Sequence, residues 1–242
     1  MALGRVVCRA LPGTRDWIMT AQWDASTLRE LYRRKETFPL DADVFAQITP
    51  STLSAETLQF LGMLVRWKRP CHIFEFGSGL STSFLARLQG ALGVASSPAL
   101  TSVDHSPRYL AETRRTLGAA ANVSLLHAPL VLASYLGRVF TTYDPGYTLQ
   151  LQPDIRFDFV LIDGPPAYRY GREAPLYSLA PYLATGAMIV LDDANREPEQ
   201  AALRNWRAAW PDGFVAEIFP DLKKGLAVCR IGDAAHRTAP CA

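Results

Sequence analysis

The chain has 242 residues, of which 49% are hydrophobic and 20% are charged, and its formal net charge is +2. This length suits one α/β domain with an N-terminal addition, and the hydrophobic fraction excludes an intrinsically disordered chain. The nearly neutral charge argues against a protein that binds nucleic acid through its phosphates, because such proteins carry a basic patch or stripe.

The cysteine and hydropathy patterns predict where the protein works. Four scattered cysteines show no Cys-x-x-Cys spacing, which argues against a zinc site. We expect Cys71 and Cys229, which lie in predicted strands, to be buried thiols, as in proteins of a reducing compartment. No run of about 18 apolar residues is present, so no transmembrane helix is predicted. We therefore predict a cytoplasmic protein that does not bind membranes.

The N-terminal region, residues 1–49, is predicted to be a helical extension that forms a lid or a dimer contact, followed by the main domain at 50–242. Asp24–Lys35 is predicted to be a helix capped by Asp24 or Ser26. Ser51–Lys68 has the apolar spacing of a strong amphipathic helix and is bounded by prolines on both sides.

From residue 71 onwards, strands and helices alternate. Strands are predicted near 71–76, 100–104, 122–127, 157–162, 186–192, 213–219 and 225–230, and helices near 81–92, 106–118, 174–184 and 196–210. The continuous apolar strands favour a parallel sheet that is covered on both faces. The link between the last two strands is too short for a crossover helix, so these strands should form a hairpin. The pattern predicts a doubly wound, mostly parallel seven-stranded α/β sheet with an antiparallel last strand.

The segment 128–156 is rich in Tyr, Pro and Gly and interrupts this alternation. It is long for a loop, so we expect it to cover a site.

The most informative stretch begins at Cys71, where an apolar strand ends in an acid and is followed by two glycines and a helix. Gly77 and Gly79 lack a Cβ, so the backbone can turn sharply and approach a ligand closely. Ser81 or Thr82 is predicted to cap the helix. Open α/β sheets bind nucleotide-like ligands at such turns, at the carboxyl ends of their strands.

The spacing of the glycines narrows the choice of ligand. A dinucleotide fingerprint needs a third glycine where this chain has Thr82, which disfavours NAD. The sequence Glu75–Gly79 resembles motif I of class I S-adenosylmethionine-dependent methyltransferases, with Ser81 in place of the usual third glycine. The resemblance implies that the turn, with Ser78, faces the amino-acid end of S-adenosylmethionine, and that Glu75 helps to organise the site.

An acid at the end of the second strand supports this interpretation. Asp104 can accept hydrogen bonds from both ribose hydroxyls, since a carboxylate has two acceptor oxygens. The alternative is that Asp104 caps the following helix. In the family that motif I resembles, His105 would lie near the adenine.

Three further acids follow two strands that should be neighbours in the sheet. Asp163 ends one strand, and Asp192 and Asp193 end the next. Converging carboxylates repel one another unless a cation or protons intervene, and oxygen ligands suit Mg²⁺, Mn²⁺ or Ca²⁺ rather than a soft metal. The alternative is that Asp163 begins a turn and that one acid of the pair caps the next helix.

Together with motif I, these acids resemble those of metal-dependent O-methyltransferases of the catechol and sugar types. The resemblance implies that Asp163, Asp192 and Asp193 hold Mg²⁺ and that Asp163 is catalytic and lies beside the cofactor. The metal would lower the pKa of an acceptor hydroxyl. Residues that we expect around the acceptor are Tyr143, Tyr147, Tyr168, Tyr170, Arg169 and Arg172.

We therefore predict a methyltransferase that acts on a hydroxyl of a small molecule or sugar, with that acceptor as its partner and with a homodimer as its assembly. Two alternatives remain open. One is an aminopropyltransferase of the same fold, which would use the acids to bind a polyamine. The other is a catalytically silent cofactor-binding or scaffold protein.

Overall fold

The computed structural model describes residues 24–34, 42–50, 52–94, 96–118, 122–166 and 171–232. Three helices precede the first strand. The elements are α1 (Ala25–Arg33), α2 (Ala42–Ala46), α3 (Ala55–Lys68), β1 (Ile73–Phe76), α4 (Leu80–Ala91), β2 (Leu100–Asp104), α5 (Pro107–Leu117), β3 (Val123–His127), β4 (Leu130–Tyr135), β5 (Arg138–Tyr143), a 3-10 helix (Pro145–Gln150), β6 (Phe157–Ile162), α6 (Ala174–Leu179), a 3-10 turn (Ala180–Tyr182), β7 (Leu183–Asp192), α7 (Glu197–Ala209), β8 (Val215–Phe219) and β9 (Leu226–Arg230).

The main sheet has seven strands in the order β3-β2-β1-β6-β7-β9-β8. The first five of these strands are parallel, and β9 runs antiparallel to both of its neighbours. The predicted doubly wound, mostly parallel α/β sheet with an antiparallel last strand is confirmed. Its strands are apolar on both faces because helices cover both sides.

Two hydrophobic clusters lie on opposite faces of the sheet. On one face, α3 and α4 pack against strand residues such as Ile73 and Leu161. On the other face, α6 and α7 pack against residues such as Phe76 and Ile162, with Trp206 of α7 fully buried. The alternation of Ile73 and Phe76 between faces follows the two-residue period of a strand.

The sequence pattern suggested a long loop over 128–156. The structure instead has a hairpin of β4 and β5 there, followed by the 3-10 helix. Two residues, Leu136 and Gly137, join the strands, with φ angles of 52° and 73°. A type I′ turn needs positive φ at both positions and is usually signalled by Asn-Gly. Leucine in the first position hides that signal, so the sequence pattern did not reveal the hairpin.

Helices α1 and α3 each begin where a side chain accepts a hydrogen bond from a backbone N–H group. Asp24 caps α1 as predicted, accepting from the amide of Thr27 at 2.9 Å. Helix α3 begins later than predicted, because Ser54 is its cap. The predicted end of the first helix, at Lys35, lies outside the described residues.

The described part of the N-terminal extension is packed against the main domain. Leu28 of α1 is fully buried, and the ring of Tyr32 lies 5.2 Å from that of Phe60 and 5.0 Å from that of Phe219. Helix α1 therefore covers the side of the sheet near β8. Residues 1–23 lie outside the described ranges, and the lid and dimer roles stay predictions.

The two strand cysteines differ from each other. Cys229 is a fully buried free thiol, as predicted. Cys71 is half-buried and disulfide-bonded, so the buried thiol predicted there is wrong and the cysteines no longer argue for a reducing compartment. Within the described residues, no helix has the length and apolar composition to cross a membrane.

Candidate cofactor and catalytic site

The candidate site lies where the parallel strands end. Phe76 at the end of β1 is level with Val103 of β2 and with Ile162 of β6, which in turn is level with Leu191 of β7. The residues that follow these positions therefore share one edge of the sheet. This is the edge at which open α/β folds bind their ligands.

The glycine turn after β1 is built against the end of β6. Gly77 has a φ of 95°, and a Cβ added there would lie 3.2 Å from the backbone of Asp163 and Gly164. Both the conformation and the close approach require glycine. Helix α4 begins at Leu80 with Gly79 as its cap, so the predicted cap at Ser81 or Thr82 is wrong.

Glu75 lies beneath this turn and is fully buried. It accepts hydrogen bonds from the hydroxyls of Thr82, at 2.5 Å, and Ser102, at 2.7 Å, and Ser81 faces the same carboxyl. Burial raises the pKa of Glu75 to about 7. Thr82 also accepts from the amide of Gly79 at 2.9 Å. The Glu75 carboxylate is therefore linked to the glycine turn through Thr82, and its role at a cofactor stays a prediction.

Asp104 holds the turn from the neighbouring strand. The Oδ2 of Asp104 accepts hydrogen bonds from the Ser78 amide at 2.8 Å and from the Ser78 hydroxyl at 3.2 Å. The Oδ1 of Asp104 accepts a hydrogen bond from the Ser106 amide at 2.8 Å. Ser106, rather than Asp104, caps helix α5. A carboxylate has about four acceptor positions, so a ribose bound here would share them with Ser78.

Of the aromatic side chains predicted around the acceptor, the two that the structure describes, Tyr143 and Tyr147, are core residues. Tyr147 is buried, and its hydroxyl lies 2.8 Å from that of Ser178. Tyr168, Tyr170 and Arg169 lie outside the described residues. His105 lies beside Asp104, with Nδ1 3.3 Å from its Oδ1.

Tyr143 of β5 reaches the junction between the two strand ends. Its ring stacks on Phe76 at 5.7 Å, and a Cβ added to Gly164 would collide with its hydroxyl. Burial and the charges of Asp104 and Asp163 raise the pKa of Tyr143 well above its usual range. The sequence placed Tyr143 near the acceptor but did not reveal this contact, because the contact depends on the unrecognised hairpin.

The predicted convergence of the three acids is confirmed. One carboxylate oxygen from each of Asp163, Asp192 and Asp193 lies within 4.8 Å of the others. The side chains of Asp192 and Asp193 are each 2% exposed, whereas that of Asp163 is 19% exposed. Burial and the charge of Asp192 raise the pKa of Asp163 well above its usual range. Asp163 is therefore the most exposed of the three carboxylates.

A buried arginine lies among these carboxylates. The Nη1 of Arg172 is 2.8 Å from Oδ2 of Asp193, and its Nη2 is 3.3 Å from Oδ1 of Asp163. Its Nε is 3.8 Å from Oε1 of Glu199, which is itself buried. We refer to Asp163, Asp192, Asp193 and Glu199 as the acid cluster. Arg172 was expected to face the acceptor, and no local sequence signal connects it or Glu199 to the acids.

Two more cations approach the acid cluster. Nη1 of Arg196 lies 2.8 Å from Oδ2 of Asp193, and Nζ of Lys224 lies 3.9 Å from its Oδ1. A divalent ion bound to the same oxygens would lie close to these cations. It would be repelled by them, and Arg172 already lies against the oxygens of Asp163 and Asp193 that the ion would use. With Arg172 in place, the acid cluster does not fit Mg²⁺.

Comparisons with known proteins agree with this geometry. Residues 74–194, half of the chain, match the family model described as "Methyltransferase domain". No curated protein matches the chain by sequence.

Solved structures of methyltransferases share the fold. The S-adenosylhomocysteine-bound methyltransferase PaMTH1 of Podospora anserina is 17% identical, with a TM-score of 0.55 over 87% of this chain and 88% of that one. A methyltransferase of Geobacter sulfurreducens is 18% identical, with a TM-score of 0.56 over 85% and 96%. CalS11, a TDP-rhamnose 3′-O-methyltransferase of calicheamicin biosynthesis, is 18% identical, with a TM-score of 0.53 over 86% and 93%.

Proposed function

The chain belongs to the methyltransferase-domain family, and on that premise we propose that it transfers the methyl group of S-adenosylmethionine to a hydroxyl of a small molecule or sugar. The observation that carries the proposal is the contact between the glycine turn and the end of β6. The approach is so close that a Cβ added to Gly77 would lie 3.2 Å from the backbone of Asp163. A cofactor on the turn and an acceptor at Asp163 would therefore be neighbours.

The cofactor half of the site lies between the turn and Asp104. The N-terminus of α4 presents backbone N–H groups to a ligand, and Asp104 offers a carboxylate to a ribose. Bound there, S-adenosylmethionine supplies an electrophilic methyl group. The chain contributes position, because most of the rate gain in such a transfer comes from holding the two reactants in line.

The acceptor half depends on Asp163. Burial and Asp192 raise the pKa of this carboxyl, which makes it a stronger base when it is ionised. We propose that it takes the proton of the acceptor hydroxyl as the oxygen bonds to the methyl carbon and the carbon–sulfur bond breaks. The products are the methyl ether and S-adenosylhomocysteine, with the proton on Asp163.

The acid cluster bears on the alternative function. An aminopropyltransferase would use free carboxylates to bind a polyamine cation. Here Arg172, Arg196 and Lys224 already face the cluster, which favours an uncharged acceptor. The partly exposed carboxylate of Asp163 supports a hydroxyl as the methylated group.

The cofactor half is tested by measuring S-adenosylhomocysteine binding by calorimetry. We expect micromolar affinity for the wild type, weakened roughly 10- to 100-fold in Asp104→Asn through loss of a charged acceptor. Asp212→Asn, at an exposed position, is the matched control and should bind as the wild type does. Absence of binding by the wild type would contradict the proposal.

The acceptor half is tested by a methyl-transfer screen over sugars and phenols. Asp163→Asn should keep cofactor affinity and lose roughly 100-fold or more in kcat, the usual contribution of a general base. Cofactor binding without transfer to any acceptor would instead support the silent scaffold. Equal methyl-transfer rates for the wild type and Asp163→Asn would show that Asp163 is not the base.

A further inference from the structure

The acid cluster contains its own cation. We propose that the Arg172 guanidinium takes the place of a divalent ion among Asp163, Asp192 and Asp193, so that methyl transfer needs no metal. The first half of this proposal concerns ion binding and stands alone, whereas the second half rests on the proposed function.

The hydrogen bonds of Arg172 show that it is built into the strand ends. Besides the carboxylates, it donates to the main-chain carbonyl of Asp163 at 3.0 Å and to that of Asp192 at 3.1 Å. These carbonyls lie at the ends of β6 and β7. Arginine suits this role because its planar fork of N–H groups can meet several oxygens at fixed angles. Arg172 is 7% exposed, so it is not a solvated side chain lying over the site.

The burial of the cluster leaves little room for a hydrated ion. Mg²⁺ usually keeps several of its waters when it binds a protein. The side chains of Asp192 and Asp193 are each only 2% exposed. Two of their oxygens, Oδ2 of Asp192 and Oδ1 of Asp193, accept no hydrogen bond but lie 3.9 Å from Arg172 and Lys224 respectively. Cations of the chain therefore already face the oxygens that an ion would need.

Arg172 is a positioning residue in this arrangement. It holds Asp163 through both its main-chain carbonyl and its Oδ1, while 19% of the Asp163 side chain stays exposed. A guanidinium is always charged at the pH of a cell, so the orientation of Asp163 would not depend on the supply of a metal.

The test of the first half is Mn²⁺ binding to the wild-type protein, followed by electron paramagnetic resonance, with Mg²⁺ calorimetry beside it. We expect no saturable binding at millimolar ion. Arg172→Ala should gain Mn²⁺ binding, and Arg172→Ala with Asp192→Asn should lose that gain. Stoichiometric Mn²⁺ binding by the wild type would overturn the proposal, whether or not the Arg172 variants fold.

The test of the second half is methyl transfer with EDTA or with added Mg²⁺, which should leave the wild-type rate unchanged. Arg172→Lys keeps the charge but not the fork, and we expect about 10-fold lower kcat with unchanged acceptor KM and cofactor affinity. A metal-dependent rate would overturn this half. S-adenosylhomocysteine binding in the same samples distinguishes failure of the proposed function from failure of the proposal about Arg172. Loss of cofactor binding would contradict the proposed function but leave the ion-binding measurement valid.

Discussion

The carboxylates at the ends of β1 and β2 are stabilised differently from those at the ends of β6 and β7. Glu75 and Asp104 accept hydrogen bonds from hydroxyl and amide groups of the glycine turn and its neighbours. The acid cluster instead surrounds the guanidinium of Arg172. Glu75 and Asp104 are thus stabilised by several neutral hydrogen-bond donors, whereas the acid cluster is stabilised largely by one charged side chain.

The largest expected effect comes from removing that side chain. Arg172→Met should lower the free energy of unfolding by about 3–5 kcal/mol, because it leaves buried carboxylates without their cation. The measurement is urea unfolding, with Arg196→Met as the control. Arg196 is 47% exposed, and its loss should cost about 1 kcal/mol or less.

The cost of Arg172→Met should also depend on pH. Burial raises the pKa of Asp163, Asp192 and Glu199 in the folded protein. Protonation of such groups favours the folded state at low pH, and that contribution is lost as the pH rises through the folded pKa. The variant should therefore lose less stability near pH 5 than near pH 8. Equal losses at both values would show that Arg172 acts by packing alone.

The next largest loss of stability is expected at Gly164, where the end of β6 contacts the glycine turn. Gly164→Ala places a methyl group against the Tyr143 hydroxyl and 3.1 Å from the Cα of Gly77. We expect a loss of about 1–3 kcal/mol, as for other overpacked sites, together with weaker S-adenosylhomocysteine binding. Gly90→Ala is the control, since a Cβ there finds no atom within 4 Å and the residue lies in α4. Unchanged cofactor affinity in Gly164→Ala would show that the two strand ends act independently.

The smallest effect is expected at Glu75. Its pKa is raised from 4.5 to about 7 in the folded protein, so protonation stabilises the fold below about pH 4.5 and this contribution is lost as the pH rises through about 7. Glu75→Gln cannot ionise. Its stability relative to the wild type should therefore rise by about 1–2 kcal/mol between about pH 6 and about pH 8, as measured by thermal unfolding. A difference that falls with pH would place a cation beside Glu75.

Much of this molecule follows from local patterns in the chain. The alternation of apolar strands and amphipathic helices predicted the sheet, because a strand buried on both faces must be apolar throughout. The short link before β9 predicted its antiparallel direction. The glycine turn, Asp104 and the three converging aspartates were predicted because parallel strands bring their carboxyl ends to one edge.

Other features depend on contacts between distant segments. The hairpin of β4 and β5 was missed because Leu136 occupies a turn position where asparagine is the usual signal. Tyr143 was expected near the acceptor, but its contact with Gly164 depends on this hairpin and was not predicted. Helix α3 was predicted from Ser51, but the side chain of Ser54 decides where it begins.

The sequence by itself determined the fold, the glycine turn and the convergence of the acids. Only the tertiary structure decided what neutralises those acids. Arg172 precedes α6, whereas its partners follow β6 and β7 or lie in α7. Charge attraction acts across space without regard to position in the chain, so the pattern of residues along the sequence does not reveal which cation a buried carboxylate will meet.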